Sequence, residues 1–259
     1  MTLSKQELLG VLINTDNKER LLKKAAEYLN HAKNTPLTIV TPNPEQIVYA
    51  QKDKHFRDIL NTADISLPDG VGIVWALKIS TIKKIPGIEF MEDLVKLAAQ
   101  KGQSVGLIGG RQGVAQKALQ NLQKKYSGLT GWTEDGPEME VENSKIKIQN
   151  HSQENYFQNL IAKIKKHNTK LLFIGLGVPK QEYFITTLKT LFNTKLKQSI
   201  ILMSVGGAFD IFAGWLPRAP KLLRELGLEW VWRLILEPWR IKRQLKLITF
   251  VNLVLTSRK

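Results

Sequence analysis

The chain has 259 residues, enough for one large domain with a substantial core, or for one domain with an appendage. Its 43% hydrophobic and 24% charged residues are those of an ordinary folded protein, and the absence of cysteine excludes disulfides and thiolate metal sites. A formal net charge of +15 points to polyanionic partners (nucleic acid, an anionic membrane face or phosphorylated substrates) or else to a generally basic surface.

The first seven residues lack the apolar core of a signal peptide, and no apolar run has the length needed to cross a bilayer, so the expected location is the cytosol. Residues 8–13 read as a short first strand. Residues 17–33 carry Leu21, Leu22, Ala25, Ala26 and Leu29 at helical spacing. Residues 37–40 form a short buried strand that must stop at Thr41-Pro42-Asn43-Pro44, where two prolines forbid a continuing ladder. Pro44 suits the first turn of a helix reaching residue 51. A helix over 54–61 leads to a strand over 64–67, then to the turn Pro68-Asp69-Gly70 and a helix over 71–77. An amphipathic helix over 89–100, a strand over 104–108 and a helix over 114–125 follow.

Residues 129–132 suggest a further strand, and the polar stretch 133–153 reads as a loop or insertion. A helix over 155–166, a strand over 170–174, the junction Gly175-Leu176-Gly177-Val178-Pro179-Lys180-Gln181 and a last strand over 200–205 complete the pattern. This alternation predicts an α/β fold, a Rossmann-like, mainly parallel sheet flanked by helices. From about Gly214 the style changes. Four of the six tryptophans (Trp215, Trp230, Trp232 and Trp239) fall here, and bases outnumber acids. The expected division is an α/β domain over 1–213 and a helical appendage over 214–259.

Parallel strands bring their C-terminal ends to one edge, so the polar and glycine-rich junctions at Thr41–Asn43, Asp69–Gly72, Gly109–Gly113 and Gly175–Gln181 should share a cleft. Asp69 reads either as a turn residue beside Gly70 or as a general base that takes a proton from a sugar hydroxyl attacking an anomeric carbon. Thr41 and Asn43 offer a hydroxyl and an amide for sugar hydroxyls, or a capping turn; Gln181 is a substrate amide contact or a first-turn helix residue. Gly109 and Gly110 can present backbone N–H groups to a pyrophosphate at a helix N-terminus, with Arg111 adding a bidentate contact, or can form a tight turn with no ligand. The spacing is not that of dinucleotide enzymes. The four histidines are scattered, with no metal-ligand cluster, and no Asp-x-Asp pattern occurs.

Taken together, these segments resemble the WecG/TagA/CpsF family of glycosyltransferases: Thr41-Pro42-Asn43-Pro44-Glu45, Asp64-Ile65-Ser66-Leu67-Pro68-Asp69-Gly70-Val71-Gly72, the Gly106–Gly113 stretch and Gly175-Leu176-Gly177-Val178-Pro179-Lys180-Gln181-Glu182. Val205-Gly206-Gly207-Ala208-Phe209-Asp210, Arg218-Ala219-Pro220, Gly227-Leu228-Glu229-Trp230, Arg233-Leu234 and Glu237-Pro238 continue the match in order; the 133–153 stretch departs from it as a longer connection. The resemblance implies inverting transfer of an N-acetylmannosamine-type sugar, or its uronic acid, from a UDP donor to GlcNAc on undecaprenyl diphosphate. The product serves wall teichoic acid or a related surface polymer. It implies Asp69 as the base and Thr41 and Gln181 as further catalytic side chains. Asn43, Gly70, Gly109, Gly110, Arg111 and Gly177 become substrate-binding positions. Arg233, Arg240 and Arg243 become arginines of the tail that close over the leaving diphosphate. The resemblance implies no cofactor, since the UDP-sugar is a substrate, and a reaction that needs no metal, which agrees with the missing Asp-x-Asp pattern.

The expected location sharpens to the inner face of the plasma membrane, with the membrane surface as a partner, no nucleic acid, and room for a homo-oligomer. Ile241, Leu245, Ile248 and Leu255 can share one helical face, with Arg243 and Lys246 nearer the polar side, as an interfacial helix requires; packing on the core or on another subunit is the alternative. Pro238 should interrupt the helix between Arg233 and Arg240. Two other classes remain, a basic nucleic-acid-binding module and a nucleotide-cofactor α/β protein. The lack of a recognisable nucleic-acid motif and the wrong glycine spacing weigh against them.

Overall fold

The structure is a computed structural model that describes residues 2–31, 34–149, 152–196 and 198–257; the side chains at 195, 196, 240 and 242–244 lie outside the description. The chain opens with a hairpin rather than the single strand expected over 8–13. Strands β1 (Lys5–Leu8) and β2 (Val11–Asn14) pair antiparallel. Leu9 and Gly10 both take positive φ, 50° and 81°, the twist a two-residue hairpin turn needs.

Helix α1 (Lys18–Asn30), capped by the Asn17 side chain, leads to β3 (Leu37–Val40). Helices α2 (Pro44–Lys52) and α3 (Lys54–Asn61) precede β4 (Ile65–Ser66), and α4 (Val71–Leu77) and α5 (Gly87–Gln100) follow it. Then come β5 (Ser104–Gly109), α6 (Val114–Lys125) and β6 (Thr130–Glu134). After a second hairpin of β7 (Met139–Glu142) and β8 (Lys145–Ile148), the chain runs through α7 (Gln153–Lys166), β9 (Thr169–Gly175), α8 (Lys180–Leu191), β10 (Ile201–Ser204) and α9 (Ala208–Phe212). Helices α10 (Lys221–Glu225), α11 (Glu229–Leu236) and α12 (Ile241–Thr256) end it, with a 3₁₀ turn at Pro238–Arg240 between the last two, where Pro238 denies the helix a donor.

Six strands form one sheet in the order β4-β3-β10-β9-β5-β6, every pair parallel. Its central strands are apolar on both faces, as a doubly covered parallel sheet requires. Leu172, Ile174 and Leu202 face a core shared with α2, α3, α7 and α8. Leu171, Phe173, Ile201 and Met203 face a second core with α1, α5, α6 and α9.

The 133–153 stretch is not a plain loop. It finishes β6 and contributes the β7–β8 hairpin, whose Met139, Ile146 and Ile148 bury themselves in the first core while Glu140, Glu142, Lys145 and Lys147 face water. Its turn is built without glycine, since Asn143 and Ser144 adopt φ of 48° and 60°. Short strands with polar residues at every second place show little net hydrophobicity.

After a non-helical stretch over 214–220, the described part of the tail is helical apart from short turns, and it packs unevenly. Phe250 and Val254 of α12 are buried in the first core, and Lys246 Nζ donates to Glu45 Oε1 of α2 at 2.9 Å. By contrast, α10 and α11 contain no buried residue. Ile241, Leu245, Ile248 and Leu255 of α12 are exposed, as are Leu222, Leu226, Trp230, Ile235 and Trp239. No described helix is long and apolar enough to cross a membrane.

Candidate active site

The junctions foreseen from the sequence do open on one edge of the sheet. Leu67 N donates to Val40 O at 2.9 Å, which carries the β3–β4 pairing into the turn. Pro68 then directs the chain outward, and Gly70, at φ 98°, begins α4 with a conformation that suits glycine. Ile85 N donates to Pro68 O at 3.0 Å, so the segment before α5 lies against the Asp69 turn.

The tightest meeting is around Gly87, the first residue of α5. A Cβ there would stand 2.8 Å from Thr41 Cγ2 and 3.6 Å from Asp69 Oδ2. Thr41 and Asp69, from neighbouring strands, therefore share one wall, and only a residue without a side chain lets α5 close against both. The Asp69 carboxyl is pushed up to about 7. Burial is the main cause; the Glu229 carboxylate adds to it, the Gly87 N–H and Lys84 oppose it, and Glu89 adds a further rise. A carboxyl poised near neutrality can hold or release a proton at working pH, as a general base must.

Glu229 belongs to α11, so the tail takes part in tuning Asp69. It is held there by ions. Arg218 NH2 donates to Glu89 Oε1 at 2.5 Å, Arg218 Nε stands 3.9 Å from Glu229 Oε1, and Arg224 NH1 is 3.6 Å from Glu89. Lys84 Nζ donates to Arg224 O. Arg233 reaches the end of β10: its guanidinium and the Asp210 carboxylate each stand 3.2 Å from the place a Cβ on Gly207 would occupy, and it pairs with Glu237 at 3.3 Å. The side chains of Arg240 and Arg243 lie outside the described residues.

Gln181 and Glu182 open α8 at the end of β9, and both are buried. Gln181 Oε1 accepts from Gly206 N at 3.1 Å, and Gln181 Nε2 donates to Glu182 Oε1 at 2.7 Å. Gln46 Nε2 of α2 donates to the same oxygen at 2.8 Å. Gln46 in turn forms a capping box with Asn43: Gln46 N donates to Asn43 Oδ1 at 3.1 Å, and Asn43 N to Gln46 Oε1 at 3.2 Å. The capping reading of Asn43 is thus realised, and its side-chain NH₂ remains for other partners.

The Gly109–Gly113 junction is more committed to structure than its sequence suggests. Gly109 is glycine because a Cβ would lie 2.6 Å from Gly175 O. Gly110 N donates to Gly175 O at 3.0 Å, Gly113 N to Asp135 Oδ1 at 3.0 Å and Val114 N to Arg111 O at 3.0 Å. Those three N–H groups are engaged within the protein, and Arg111 stands exposed at the rim. Open backbone lies elsewhere on the edge: Gly70, Gly177 and Gly206 have nothing within 4 Å of where a Cβ would be. A ligand can approach the main chain closely there.

An α/β fold with a poised carboxyl and open glycine backbone at the C-terminal edge of a parallel sheet defines a ligand site of the doubly wound class. The chain belongs to the glycosyl transferase WecG/TagA/CpsF family, whose model matches residues 6–259. It is similar to proteins of Staphylococcus aureus strains NCTC 8325 / PS 47, COL and MRSA252 named N-acetylglucosaminyldiphosphoundecaprenol N-acetyl-beta-D-mannosaminyltransferase. Each is 28% identical over 259 residues, a span that covers 99% of this chain and 94% of the relative.

Sequence reasoning missed Gly87, Lys84, Gln46 and Glu182 and gave Glu229 no role. Some signals were there. Ile85-Pro86-Gly87 is a turn mark immediately before an amphipathic run, and Asn43-Pro44-Glu45-Gln46 has the spacing of a capping box. Nothing in the chain order reveals that Glu229 faces Asp69.

Proposed function

We propose that this glycosyltransferase moves N-acetylmannosamine, or its uronic acid, from a UDP donor to the GlcNAc of an undecaprenyl-diphosphate acceptor, with inversion, for wall teichoic acid or a related surface polymer. The full-length match to the mannosaminyltransferases supports the substrates. The observation that carries the chemistry is Asp69, pushed up to about 7 at the sheet edge and walled by Thr41 and Gly87.

In this reading the Asp69 carboxylate takes the proton of an acceptor hydroxyl while that oxygen attacks the anomeric carbon. The new glycosidic bond forms as the bond to the diphosphate oxygen breaks, and UDP leaves with the electron pair. The charge that develops on the diphosphate calls for cations. Arg233 sits at the end of β10 for that role, with Arg240 and Arg243 joining it from the turn and helix beyond Pro238. Thr41 orients the reacting hydroxyl beside Asp69, and Gln181 presents an amide to the transferred sugar. Asn43, Gly70, Gly109, Gly110, Arg111 and Gly177 line the binding surface around them, Gly70 and Gly177 by open backbone and Arg111 from the rim.

The lipid-linked acceptor places the reaction at a membrane. Residues 214–259 act as the membrane-associating, site-closing part beside the catalytic domain over 1–213. The exposed apolar side chains of α11, α12 and the turn between them, with Ile235 65%, Trp239 66% and Ile248 60% exposed, support this. So does the net charge of +15, suited to the anionic inner face of the plasma membrane. The same apolar face can be covered by a second copy of the chain away from lipid.

The direct test incubates the protein with a panel of UDP-sugars and a polyprenyl-diphosphate GlcNAc acceptor and reads the product by mass. The expected product carries one added N-acetylhexosamine or its uronic acid. Transfer from none of the UDP-N-acetylhexosamines or their uronic acids overturns the proposal.

A further inference from the structure

The Gln46–Glu182–Gln181–Gly206 chain joins the ends of three strands, β3, β9 and β10, at the C-terminal edge of the sheet. Its centre is a carboxyl with no exposed surface. Its two oxygens are unequal. Oε1 accepts from two amide N–H groups, at 2.8 and 2.7 Å. Among the described residues Oε2 is buried with no hydrogen bond of good geometry, and so is the Ser204 Oγ of β10, which is close enough to act on the carboxyl. An ionised carboxylate with one oxygen wholly unsolvated and unpaired is an expensive arrangement. Ser204 can pair with Oε2 in either protonation state, but the groups facing this fully buried carboxyl are uncharged, and burial without a counter-charge favours the neutral acid: a proton on Oε2 donates to Ser204 Oγ, and Oε1 remains the carbonyl that accepts twice.

We propose that Glu182 is a positioning residue that works as a neutral acid, its Oε1 fixing the amide orientation of Gln46 and Gln181 and its Oε2 hydroxyl donating to Ser204. The consequence falls on Gln181. With Oε1 taken by Gly206 N and one Nε2 hydrogen by Glu182, the amide cannot flip, and its second Nε2 hydrogen is the group left for a ligand. Gln46 is held the same way, its Oε1 on Asn43 N and its Nε2 on Glu182, so the Asn43 cap shares the anchor.

The electrostatics agree. The Glu182 carboxyl is pushed up to about 8, with burial the leading cause. The opposing influences are Gln181 and the backbone N–H on its own helix, Ser204 from β10 and Gln46 from α2, and none of these carries a charge. The inference rests on the reading of Gln181 as a sugar contact. It adds that Gln181 works only as oriented by its neighbour.

The experiment compares Glu182→Gln, Glu182→Ala, Gln181→Ala and the Gln181→Ala/Glu182→Ala double variant in the full chain, by steady-state transfer and by thermal melts. Glutamine keeps a carbonyl for the two amides and an NH₂ for Ser204, so Glu182→Gln should retain kcat within about 3-fold. Glu182→Ala should lower kcat about 10- to 100-fold. The double variant should be no slower than the slower single one, because both changes remove one function.

The melts add a readout that a filler role cannot move. Wild-type Glu182 is neutral in the fold and ionised in the unfolded chain, so its stability contribution is full below about pH 4.5 and is lost as pH rises through about 8. Glu182→Gln should melt progressively higher than the wild type as pH rises from about 5 to 8. Parallel melting profiles, or Glu182→Gln as slow as Glu182→Ala, overturn the neutral acid. Additive losses in the double variant overturn the route through Gln181. A Gln181→Ala enzyme as active as the wild type overturns the sugar-contact reading, and the coupling with it, while the melts still report on Glu182 alone. Should Glu182→Ala fail to fold, the kinetics and melts of Glu182→Gln decide.

Discussion

The sheet edge and the C-terminal helices use the same residue types in opposite ways. Around α8, Tyr183, Phe184, Ile185 and Leu188 are all buried and position two polar residues, Gln181 and Glu182, that are buried with them. In α10 and α11 no residue is buried, and leucines, isoleucines and tryptophans stand in water. Charge helps to hold these helices near the site, with Arg218 and Arg224 on Glu89 and Lys84 on the Arg224 carbonyl, and the buried Gly227 turn between them packs against Val71. Burial fixes the floor of the site, and ion pairs, the Gly227 turn against Val71 and the apolar anchor of α12 hold its wall. Partly exposed pairs of this kind contribute little each and weaken with salt. The wall is therefore the part that can move, and the apolar surface it leaves uncovered is suited to binding something else.

The largest effect should come from the chemistry where the two regions meet. Asp69→Ala should lower turnover about 10²- to 10⁴-fold, the range a positioned acid–base group contributes, with far-UV circular dichroism unchanged. In the wild type, kcat/KM should rise with pH as Asp69 loses its proton, with a midpoint near 7. The stability sign is the reverse. Its pKa is raised in the fold, so the contribution of Asp69 is full below the ordinary carboxylate range and lost as pH rises through about 7. Asp69→Asn should thus melt above the wild type at pH 8 and alongside it at pH 4, while staying inactive. An Asp69→Asn protein as active as the wild type would remove Asp69 from the reaction.

The anchor of the wall comes next. Phe250 is one of the largest fully buried side chains, and it ties α12 to α2 and α4. Truncation to alanine should cost about 3–5 kcal/mol, measured by urea denaturation. If α12 rests on Phe250, as its packing implies, limited proteolysis should then cut within residues 241–256 before it cuts the sheet. Equal protection of both regions would show that the tail is held by more than this contact.

Gly87→Ala tests the floor more gently. The added methyl would meet Thr41 Cγ2 at 2.8 Å, so α5 or Thr41 must shift, at about 1–3 kcal/mol. Turnover should fall about 10-fold because Thr41 and Asp69 no longer share their wall. A variant with normal kinetics would mean that the wall gives way without disturbing either group.

Much of this architecture was legible because it is periodic or punctuated. The helices over 54–61, 71–77 and 114–125 end where their apolar spacing ends, and the site junctions carry glycine and proline. The two hairpins were not legible as such. At four residues a strand is too short for alternation to rise above chance, and the β7–β8 turn at Asn143-Ser144 uses no glycine. Within the site, Asp69, Thr41 and Gln181 announce themselves as polar residues at strand ends. Gly87 and Glu229 matter through contacts between elements far apart in the chain, and a linear pattern does not contain such proximity. Glu182 sat in view beside Gln181, but an acidic residue in a helical first turn has an ordinary explanation, and only its complete burial removes it.

The smallest change in stability should carry the clearest message about the wall. Ile248 and Leu245 are exposed on α12, with 60% and 58% of their surface in water. Replacing both by serine removes apolar area that the fold does not use, so the melting temperature should shift by little, within about 0.5 kcal/mol for each site. Affinity for anionic vesicles should nevertheless fall. Each side chain would bury most of its apolar surface in the interface, worth about 1.5–3 kcal/mol when complete, so the pair should weaken partitioning by at least about 10-fold. Co-sedimentation with phosphatidylglycerol vesicles measures this, and raised salt separates the apolar part from the electrostatic part. Undiminished binding would assign the attraction to the basic charge alone and leave the exposed apolar face to a second copy of the chain.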